Sequence, residues 1–148
     1  MSSNSGAPNS PDPSCGFCAE AGGEVLWKDD FARVILADEA QHPGFCRVVL
    51  NRHTKEVTDL SEADRSRLMG IVFAVEQAQR HLLAPDKVNL ASFGNQVPHV
   101  HWHVIPRFTD DPHFPNPTWG EETGGRVHPI PASYADDLTQ RLTRALSW

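Results

Sequence analysis

Residues 99–105 read His-Val-His-Trp-His-Val-Ile, so three histidines alternate with large apolar side chains. Successive side chains of a β-strand point to opposite faces, which would place His99, His101 and His103 together on one face. A helix completes a turn in about 3.6 residues and would not bring side chains at this spacing together. The spacing therefore predicts a strand that carries a row of imidazoles on one face.

Imidazole titrates near pH ~6.5 and can act as nucleophile, proton carrier or metal ligand at neutral pH. For a single histidine, a hydrogen-bonded place on a solvated sheet is the ordinary interpretation. Three histidines at a spacing of two, followed by Pro106 and Arg107, instead indicate a reactive or ligand-binding site.

The chain has 148 residues and a net charge of −6, and it contains no run of Lys or Arg. We therefore expect no binding to nucleic acid through a basic face, whereas a small phosphorylated ligand in a local pocket is compatible with this charge. No apolar run approaches the ~20 residues that span a bilayer, and the N-terminus lacks the pattern of a signal peptide. Three cysteines are an odd set for a disulfide framework. These features predict a cytoplasmic protein without membrane contact.

The pattern along the chain predicts a disordered tail over residues 1–14, rich in Ser and Pro, and a single domain over residues 15–148. Ser61 is predicted to cap a long helix whose apolar residues recur every three to four positions and which ends before Pro85. Prolines and glycines predict a long loop over residues 106–131, followed by a C-terminal helix over residues 133–147. Apolar and β-branched runs predict strands at residues 24–27, 33–37, 46–50, 88–93 and 99–105.

The turn over residues 94–98 is too short for a crossover, so the last two predicted strands should pair antiparallel. The first two predicted strands should form a hairpin for the same reason. The fold class predicted from these elements is α+β, with an antiparallel sheet of about five strands, one long helix and a C-terminal helix.

The segment 99–105 matches the motif His-φ-His-φ-His-φ-φ, where φ is apolar, and from about Cys15 to Arg107 the chain resembles the histidine triad (HIT) superfamily in the order of its elements. Residues 43–46, 94–98 and 119–120 are similar to small bacterial diadenosine tetraphosphate hydrolase-like members. The resemblance implies the HIT-like fold, a homodimer, and hydrolysis or transfer of nucleoside monophosphates at the α-phosphate of dinucleoside polyphosphates or nucleoside phosphoramidates. It implies no metal in catalysis.

By this resemblance, His101 would be the nucleophile that forms a covalent nucleotidyl intermediate, which is reasonable because a neutral imidazole has a free lone pair. The resemblance gives His99 an orienting role and makes His103 a donor to phosphate oxygens. Gln96 stands where many relatives have Ser or Thr near the leaving group. Asn95 beside it is a second candidate for that contact.

The resemblance also implies substrate contacts further from the histidines. Asp38, at the end of the second predicted strand, matches an acidic residue that accepts hydrogen bonds from ribose hydroxyls. Asn89, on the strand before the histidine segment, matches a polar residue that contacts ribose or phosphate. Phe45 stands where many relatives have a histidine.

Cys15 and Cys18 have the spacing of a zinc half-site, since two thiolates separated by two residues can reach one tetrahedral ion. Reduced thiols without a metal are the alternative, while a thioredoxin-like redox role is disfavoured because no βαβ unit surrounds the pair. Some HIT proteins with such a pair bind structural zinc, and the resemblance then implies His53 and His99 as the two remaining ligands.

Three function classes stay open from the sequence. The first is the nucleotide hydrolase or nucleotidyltransferase that the resemblance implies. The second is a hydrolase with a histidine-ligated metal, since closely spaced histidines also build such centres. The third is a noncatalytic nucleotide sensor, because folds persist after chemistry is lost.

Overall fold

The computed structural model describes residues 9–147, so the prediction of a disordered tail lies outside the described residues for residues 1–8. The predicted strands and the two predicted helices are all found, with ends shifted by one to two residues. In chain order the elements are α1 (Gly16–Ala19), β1 (Glu24–Lys28), β2 (Ala32–Leu36), β3 (Cys46–Leu50), a short 3₁₀ turn (Val57–Asp59), α2 (Glu62–Leu83), β4 (Lys87–Ala91), β5 (His101–Arg107) and α3 (Tyr134–Ala145).

The five strands form one antiparallel sheet in the order β1-β2-β3-β5-β4. The predicted hairpin of β1 with β2 and the antiparallel pairing of β4 with β5 are both confirmed. Together with α2 and α3 this gives the predicted α+β fold, in which the triad strand β5 lies between β3 and β4. Residues 101–104 of β5 pair with β3 and residues 103–107 pair with β4, so the strand is held from both sides.

Alternation along the strands gives the sheet two different faces. On one face, residues such as Val48 of β3 and Val104 of β5 pack against Leu68, Ile71 and Val75 of α2 in the main hydrophobic core. Residues of opposite parity point away from the helices, because side chains alternate along a strand. This helix-free face carries Arg33 of β2, Arg47 of β3, and His101, His103 and Ile105 of β5.

The helical layer is attached to the sheet through the carbonyl of Gly44, which precedes β3. Gln79 of α2 donates to this carbonyl at 2.9 Å, and so does the hydroxyl of Tyr134 in α3, also at 2.9 Å. Gly44 has a φ of 92°, which an L side chain rarely adopts. Both helices therefore converge on one backbone group that glycine makes available.

The long helix begins where its capping signal predicts. The Ser61 hydroxyl accepts a hydrogen bond from the Asp64 backbone N–H at 3.1 Å, and Ala84 ends the helix in a left-handed conformation before Pro85. None of the helices within residues 9–147 is long and apolar enough to cross a membrane.

The predicted start of the triad strand at His99 is wrong by two residues. The His99 N–H donates to the Val97 carbonyl at 2.8 Å, so a tight turn centred on Pro98 precedes the strand, which begins at His101. At its other end, β5 continues through Pro106 and Arg107, which were assigned to the loop. Pro106 is tolerated because the pairing of β5 with β3 ends at Val104.

The long loop after β5 contains no helix or strand between residues 108 and 133, yet it is anchored by a buried ion pair. Arg107 Nε donates to Asp111 Oδ2 at 2.8 Å, and the two side chains are 2 % and 3 % exposed. The Asp111 carboxylate also accepts backbone N–H groups of Phe108, His113 and Phe114. These donors hold the pKa of Asp111 well below its usual range, against the opposing effect of burial.

We predict that Asp111→Asn lowers the free energy of unfolding by about 3–5 kcal/mol at pH 7, because it leaves the buried Arg107 charge without its partner. A carboxylate with a lowered pKa stabilises the folded state above its unfolded pKa of about 3.9. The difference between wild type and variant should therefore shrink as the pH falls below about 4. Urea unfolding followed by circular dichroism at several pH values measures it.

The matched control is Asp110→Asn, because the exposed Asp110 carboxylate contacts Arg126 and His128 at the surface of the loop. Exposed pairs contribute at most about 1 kcal/mol, so this variant should unfold near wild type. Equal losses for the two variants would contradict the anchoring role of Asp111.

Candidate functional site

A cavity of about 660 Å³ opens on the helix-free face of the sheet. The strands β3 and β5 form its floor, the turn over residues 93–97 forms one wall, and the long loop contributes its edge. The lining residues that carry polar or aromatic groups are Phe17, Glu39, Phe45, Arg47, Phe93, Asn95, Gln96, His101, His103, Thr118 and Trp119.

His101 lies in this cavity with one ring nitrogen already engaged. Its Nδ1 lies 2.6 Å from the His99 carbonyl oxygen, which can only accept, so Nδ1 carries the proton. Burial lowers the pKa of His101 below the ordinary imidazole value; the bond to His99 opposes this shift and the charge of Arg47 adds to it. The ring is thus neutral at pH 7, with Nε2 as the nitrogen that bears a free lone pair.

His103 is two residues further along β5 and lines the same cavity. Its ring centroid lies 5.2 Å from that of His101 and 5.4 Å from that of Phe45. Burial, with added effects of Arg47 and His101, lowers the pKa of His103 to about 4. Within the described residues, its buried Nδ1 has no hydrogen-bond partner. A neutral His103 can donate one hydrogen bond to a ligand but adds no positive charge.

Arg47 is a cavity residue that the sequence analysis did not single out. It lies on β3 opposite His103, and its guanidinium carbon is 5.0 Å from the centre of the Phe45 ring. A charged residue inside the apolar run 46–50 was the available signal, because a cation within a strand of the sheet must point away from the core. Arg47 gives a cavity of neutral imidazoles a permanent positive charge.

His99 does not line this cavity, although the sequence placed it beside His101. Its ring is fully buried, and Nε2 donates to the Leu50 carbonyl at 2.6 Å, which leaves Nδ1 as the acceptor. This Nδ1 lies 3.4 Å from Cys15 Sγ, 3.6 Å from Cys18 Sγ and 3.2 Å from His53 Nδ1. The two cysteines and two histidines named from the sequence therefore form one cluster.

The donor atoms of this cluster all lie within 4.8 Å of one another. Cys15 is the cap of α1 and Cys18 lies within it, while His53 follows β3. Two thiols and two imidazoles are a donor set that holds divalent metal ions. The cluster could hold a metal, and it lies behind the His99 carbonyl that accepts from His101.

The remaining residues named from the sequence are placed differently. Gln96 and Asn95 line the cavity. Asn89 lies outside it: its Oδ1 accepts from Arg107 Nη1 at 2.8 Å, and it lines a neighbouring cavity of about 310 Å³ beside β4. Asp38 is exposed and is not among the residues lining either cavity.

Two aromatic residues at the cavity mouth complete the site. Phe93 is 53 % exposed and Trp119 is 64 % exposed, and their rings meet edge to face at 4.9 Å. Trp119 belongs to the long loop that follows β5. It reaches the cavity because the Arg107 and Asp111 pair fixes the loop that carries it.

Comparison with solved structures finds similar folds among histidine triad proteins. One from Bradyrhizobium japonicum is 28% identical with a TM-score of 0.67, and the match covers 86% of this chain and 92% of that one. One from Marinobacter aquaeolei is 26% identical with a TM-score of 0.66, covering 86% and 90%. A zinc-bound histidine triad family protein from Mycobacterium smegmatis shares the fold at 23% identity, with a TM-score of 0.62 and coverage of 90% and 96%.

No curated protein sequence matches this chain. The family model described as the HIT domain matches residues 19–110, which contain all five strands, α2 and the histidine segment. Together with the geometry of His99, His101 and His103, this match shows that the chain belongs to the HIT family.

Proposed function

We propose that this protein is a hydrolase or nucleotidyltransferase that cleaves nucleotides at the α-phosphate through a covalent nucleotidyl-His101 intermediate. Dinucleoside polyphosphates similar to diadenosine tetraphosphate, or nucleoside phosphoramidates, would be its substrates. HIT proteins generally hydrolyse or transfer nucleotides. The observation that carries the proposal is the His101 ring, neutral and held at Nδ1 by the His99 carbonyl inside the cavity.

In the first step, His101 Nε2 would attack the α-phosphorus, and the bond from phosphorus to the leaving group would break with its electron pair on the leaving atom. Positive charge develops on the imidazole as the new P–N bond forms. The His99 carbonyl, which accepts a hydrogen bond from the Nδ1–H group, stabilises that charge and fixes the ring direction. Water would then attack phosphorus, and the P–N bond would break with its electron pair on Nε2, which restores the neutral ring; the proton lost by the water passes to solvent.

Neighbouring side chains would bind the phosphate and the leaving group. His103 is neutral and can donate to a phosphate oxygen, while the amides of Gln96 and Asn95 can donate to the leaving atom or its neighbours. A polyphosphate leaves as an anion, whereas an amine must take up a proton. Amide side chains in place of a hydroxyl suit an anionic leaving group that needs hydrogen bonds rather than a proton.

A catalytic metal held by the triad receives less support. Within residues 9–147, the group of side chains that could hold a metal consists of Cys15, Cys18, His53 and His99. His101 and His103 are not part of that group. The noncatalytic sensor is disfavoured by the intact middle histidine with its free Nε2.

We propose that the cluster behind the triad binds structural zinc. Zinc bonds of about 2.3 Å to sulfur and about 2.0–2.1 Å to nitrogen place neighbouring ligands of a tetrahedron about 3.3–3.8 Å apart. Cys18 Sγ lies 3.6 Å from His99 Nδ1, within this range, and 3.2 Å from His53 Nδ1, just below it, while the four donor atoms all lie within 4.8 Å of one another. A bound ion would neutralise the two thiolates and join α1 to the segment before β5.

The family resemblance also supports a homodimer and ribose contacts, which we include in the proposal. β4 is one of the two outer strands of the sheet, so one of its edges has no strand partner within the described chain. Asp38 precedes Glu39, which lines the cavity, and could meet a sugar at its rim. Asn89 Oδ1 is bound to Arg107, so its amide N–H groups would make any ligand contact.

We predict that His101→Ala lowers kcat on diadenosine tetraphosphate by roughly 10³-fold or more, because removing a nucleophile removes the covalent route. Wild-type protein, quenched without acid after mixing with labelled nucleotide, should carry label on the chain, and the variant should not. Turnover assays and denaturing gels measure the two effects. His81→Ala, on the exposed surface of α2, is the control and should behave as wild type.

Activity retained in His101→Ala would contradict the proposed mechanism. Activity that appears only on adding a divalent metal to wild type would favour the metal-dependent hydrolase instead. Nucleotide binding without turnover of either substrate class would favour the sensor.

We predict opposite tautomers for two neighbouring histidines. His99 should carry its proton on Nε2 and His101 on Nδ1, because each of these atoms faces a backbone carbonyl. Nitrogen-15 NMR of the imidazoles at pH 7 distinguishes the two tautomers by their coupling patterns. A His101 ring protonated at Nε2 would contradict the assignment of Nε2 as the attacking atom.

We predict about one zinc per chain in protein purified without chelator, as four ligands of this type saturate one ion. Cys18→Ala should reduce the content to a small fraction of this value. Cys46→Ala is the matched control and should keep its zinc, because Cys46 is buried elsewhere, against Gly44. Inductively coupled plasma mass spectrometry measures the content, and a metal-free wild type would refute the zinc proposal.

A further inference from the structure

Arg47 is placed on the floor of the cavity by the alternation of β3. Cys46 and Val48 point into the core beneath α2, so the side chain between them points to the helix-free face. Its backbone partner on the neighbouring strand is His103. Side chains directly opposite each other across a sheet have Cβ atoms about 5 Å apart, whereas diagonal neighbours such as Arg47 and His101 are about 7–8 Å apart. The guanidinium therefore lies beside His103 and one position away from the proposed nucleophile.

The sheet offers an internal comparison for this arginine. Arg33 donates to the backbone carbonyls of Phe17, Glu20 and Ala21, and Arg107 donates to Asp111. Both guanidinium groups are used to hold irregular segments in place.

Arg47, by contrast, makes no hydrogen bond or ion pair with any residue in the described part of the chain. Its contacts are the Phe45 ring and the more distant charge of Glu39, which is exposed at the rim. A guanidinium has five N–H donors, and a partly buried charge without a partner is costly. Burial lowers the pKa of Arg47, yet a guanidinium stays protonated at neutral pH. The donors are thus available to a ligand inside the cavity.

The remaining lining of the cavity contains no second permanent cation. His103 has a pKa of about 4 and is neutral at pH 7, and Glu39 carries the opposite charge. Planar guanidinium groups bind phosphate oxygens in pairs, with geometry that neutral donors do not offer. Arg47 is therefore the group that distinguishes a ligand with additional negative charge.

We propose that Arg47 forms a second phosphate subsite, which binds a phosphoryl group of the substrate other than the one that His101 attacks. This inference rests on the proposed function, and it narrows the substrate class to nucleotides with at least two phosphoryl groups. The second group can belong to a polyphosphate chain or to a phosphate on the ribose. A nucleoside phosphoramidate with an uncharged amine would leave the subsite empty.

The test is equilibrium binding by isothermal titration calorimetry, with AMP, ADP and adenosine 3′,5′-bisphosphate as probes. Wild type should bind one of the two bisphosphates at least about 10-fold more tightly than AMP, since a paired charged contact is strong. A preference for ADP assigns the subsite to a phosphate chain, and a preference for the other probe assigns it to a ribose phosphate. Arg47→Met should bind that bisphosphate about as tightly as AMP, and its affinity for AMP should differ from that of wild type by less than about 3-fold.

Two variants control for charge and folding. Arg80→Met removes the same charge from the exposed surface of α2 and should keep the wild-type preference. Arg47→Lys keeps a cation on the floor and should retain part of the preference, although it cannot bind two oxygens in the same plane. An unchanged ratio in Arg47→Met, or an equal loss for AMP and both bisphosphates, would overturn the second subsite.

Failure of the proposed function can be recognised separately. The proposed function fails if no label is trapped on His101 and no nucleotide is turned over, whatever the binding ratio. If no nucleotide binds, inorganic tripolyphosphate serves as the probe. Its binding to wild type and loss in Arg47→Met would preserve the anion subsite, and equal binding to both proteins would overturn it.

Discussion

The hydrogen bond from His101 Nδ1 to the His99 carbonyl is the contact on which the rest of the site depends. At 2.6 Å, this contact fixes the tautomer and the direction of the His101 ring. The carbonyl is itself held because the His99 ring is bound on both sides, by Leu50 through Nε2 and by the cysteine and histidine cluster through Nδ1. The position of the His101 ring thus depends on residues outside the cavity, in α1 and in the segment after β3, which hold the His99 ring. A metal in the cluster would act on catalysis through position, without contact to the substrate.

Three arginines on the helix-free face have different roles in the cavity. Arg33 binds the carbonyls of the segment around α1, which carries Phe17 to the cavity, and Arg107 binds the loop that carries Trp119. Both are buried charges with satisfied partners, an arrangement that orients irregular backbone where no regular ladder can do so. Arg47 lies between them on β3 and lines the cavity. The same residue type therefore builds the walls of the cavity and supplies its charge.

The fold and the position of the triad could be predicted because strands and helices have periodic sequence patterns. The apolar residues of α2 recur every three to four positions, and the side chains of β5 alternate. The turn before β5 could not be predicted in this way. The alternation of histidines predicts that the strand starts at His99. In the structure the His99 N–H instead donates to the Val97 carbonyl, and the His99 ring lies in the cluster of cysteines and histidines. The ion pair between Arg107 and Asp111 could not be predicted either, because a loop rich in proline has no periodic sequence pattern. Arg47 was overlooked since a lone charge in a strand is usually solvated.

In the cavity, neutral histidines and a charged arginine have different roles. Burial keeps His103 neutral at physiological pH, so it can donate a hydrogen bond without attracting anions over a distance. Arg47 attracts anions at any pH at which the protein is folded, but it gives up no proton. If histidines had to supply both the proposed nucleophile and the positive charge, the cavity would lose anion affinity whenever its imidazoles were neutral. The neutral state is the one in which an imidazole can attack phosphorus. A fixed cation on the neighbouring strand removes this conflict, because His101, the proposed nucleophile, stays unprotonated while Arg47 meets the charge of an anionic ligand.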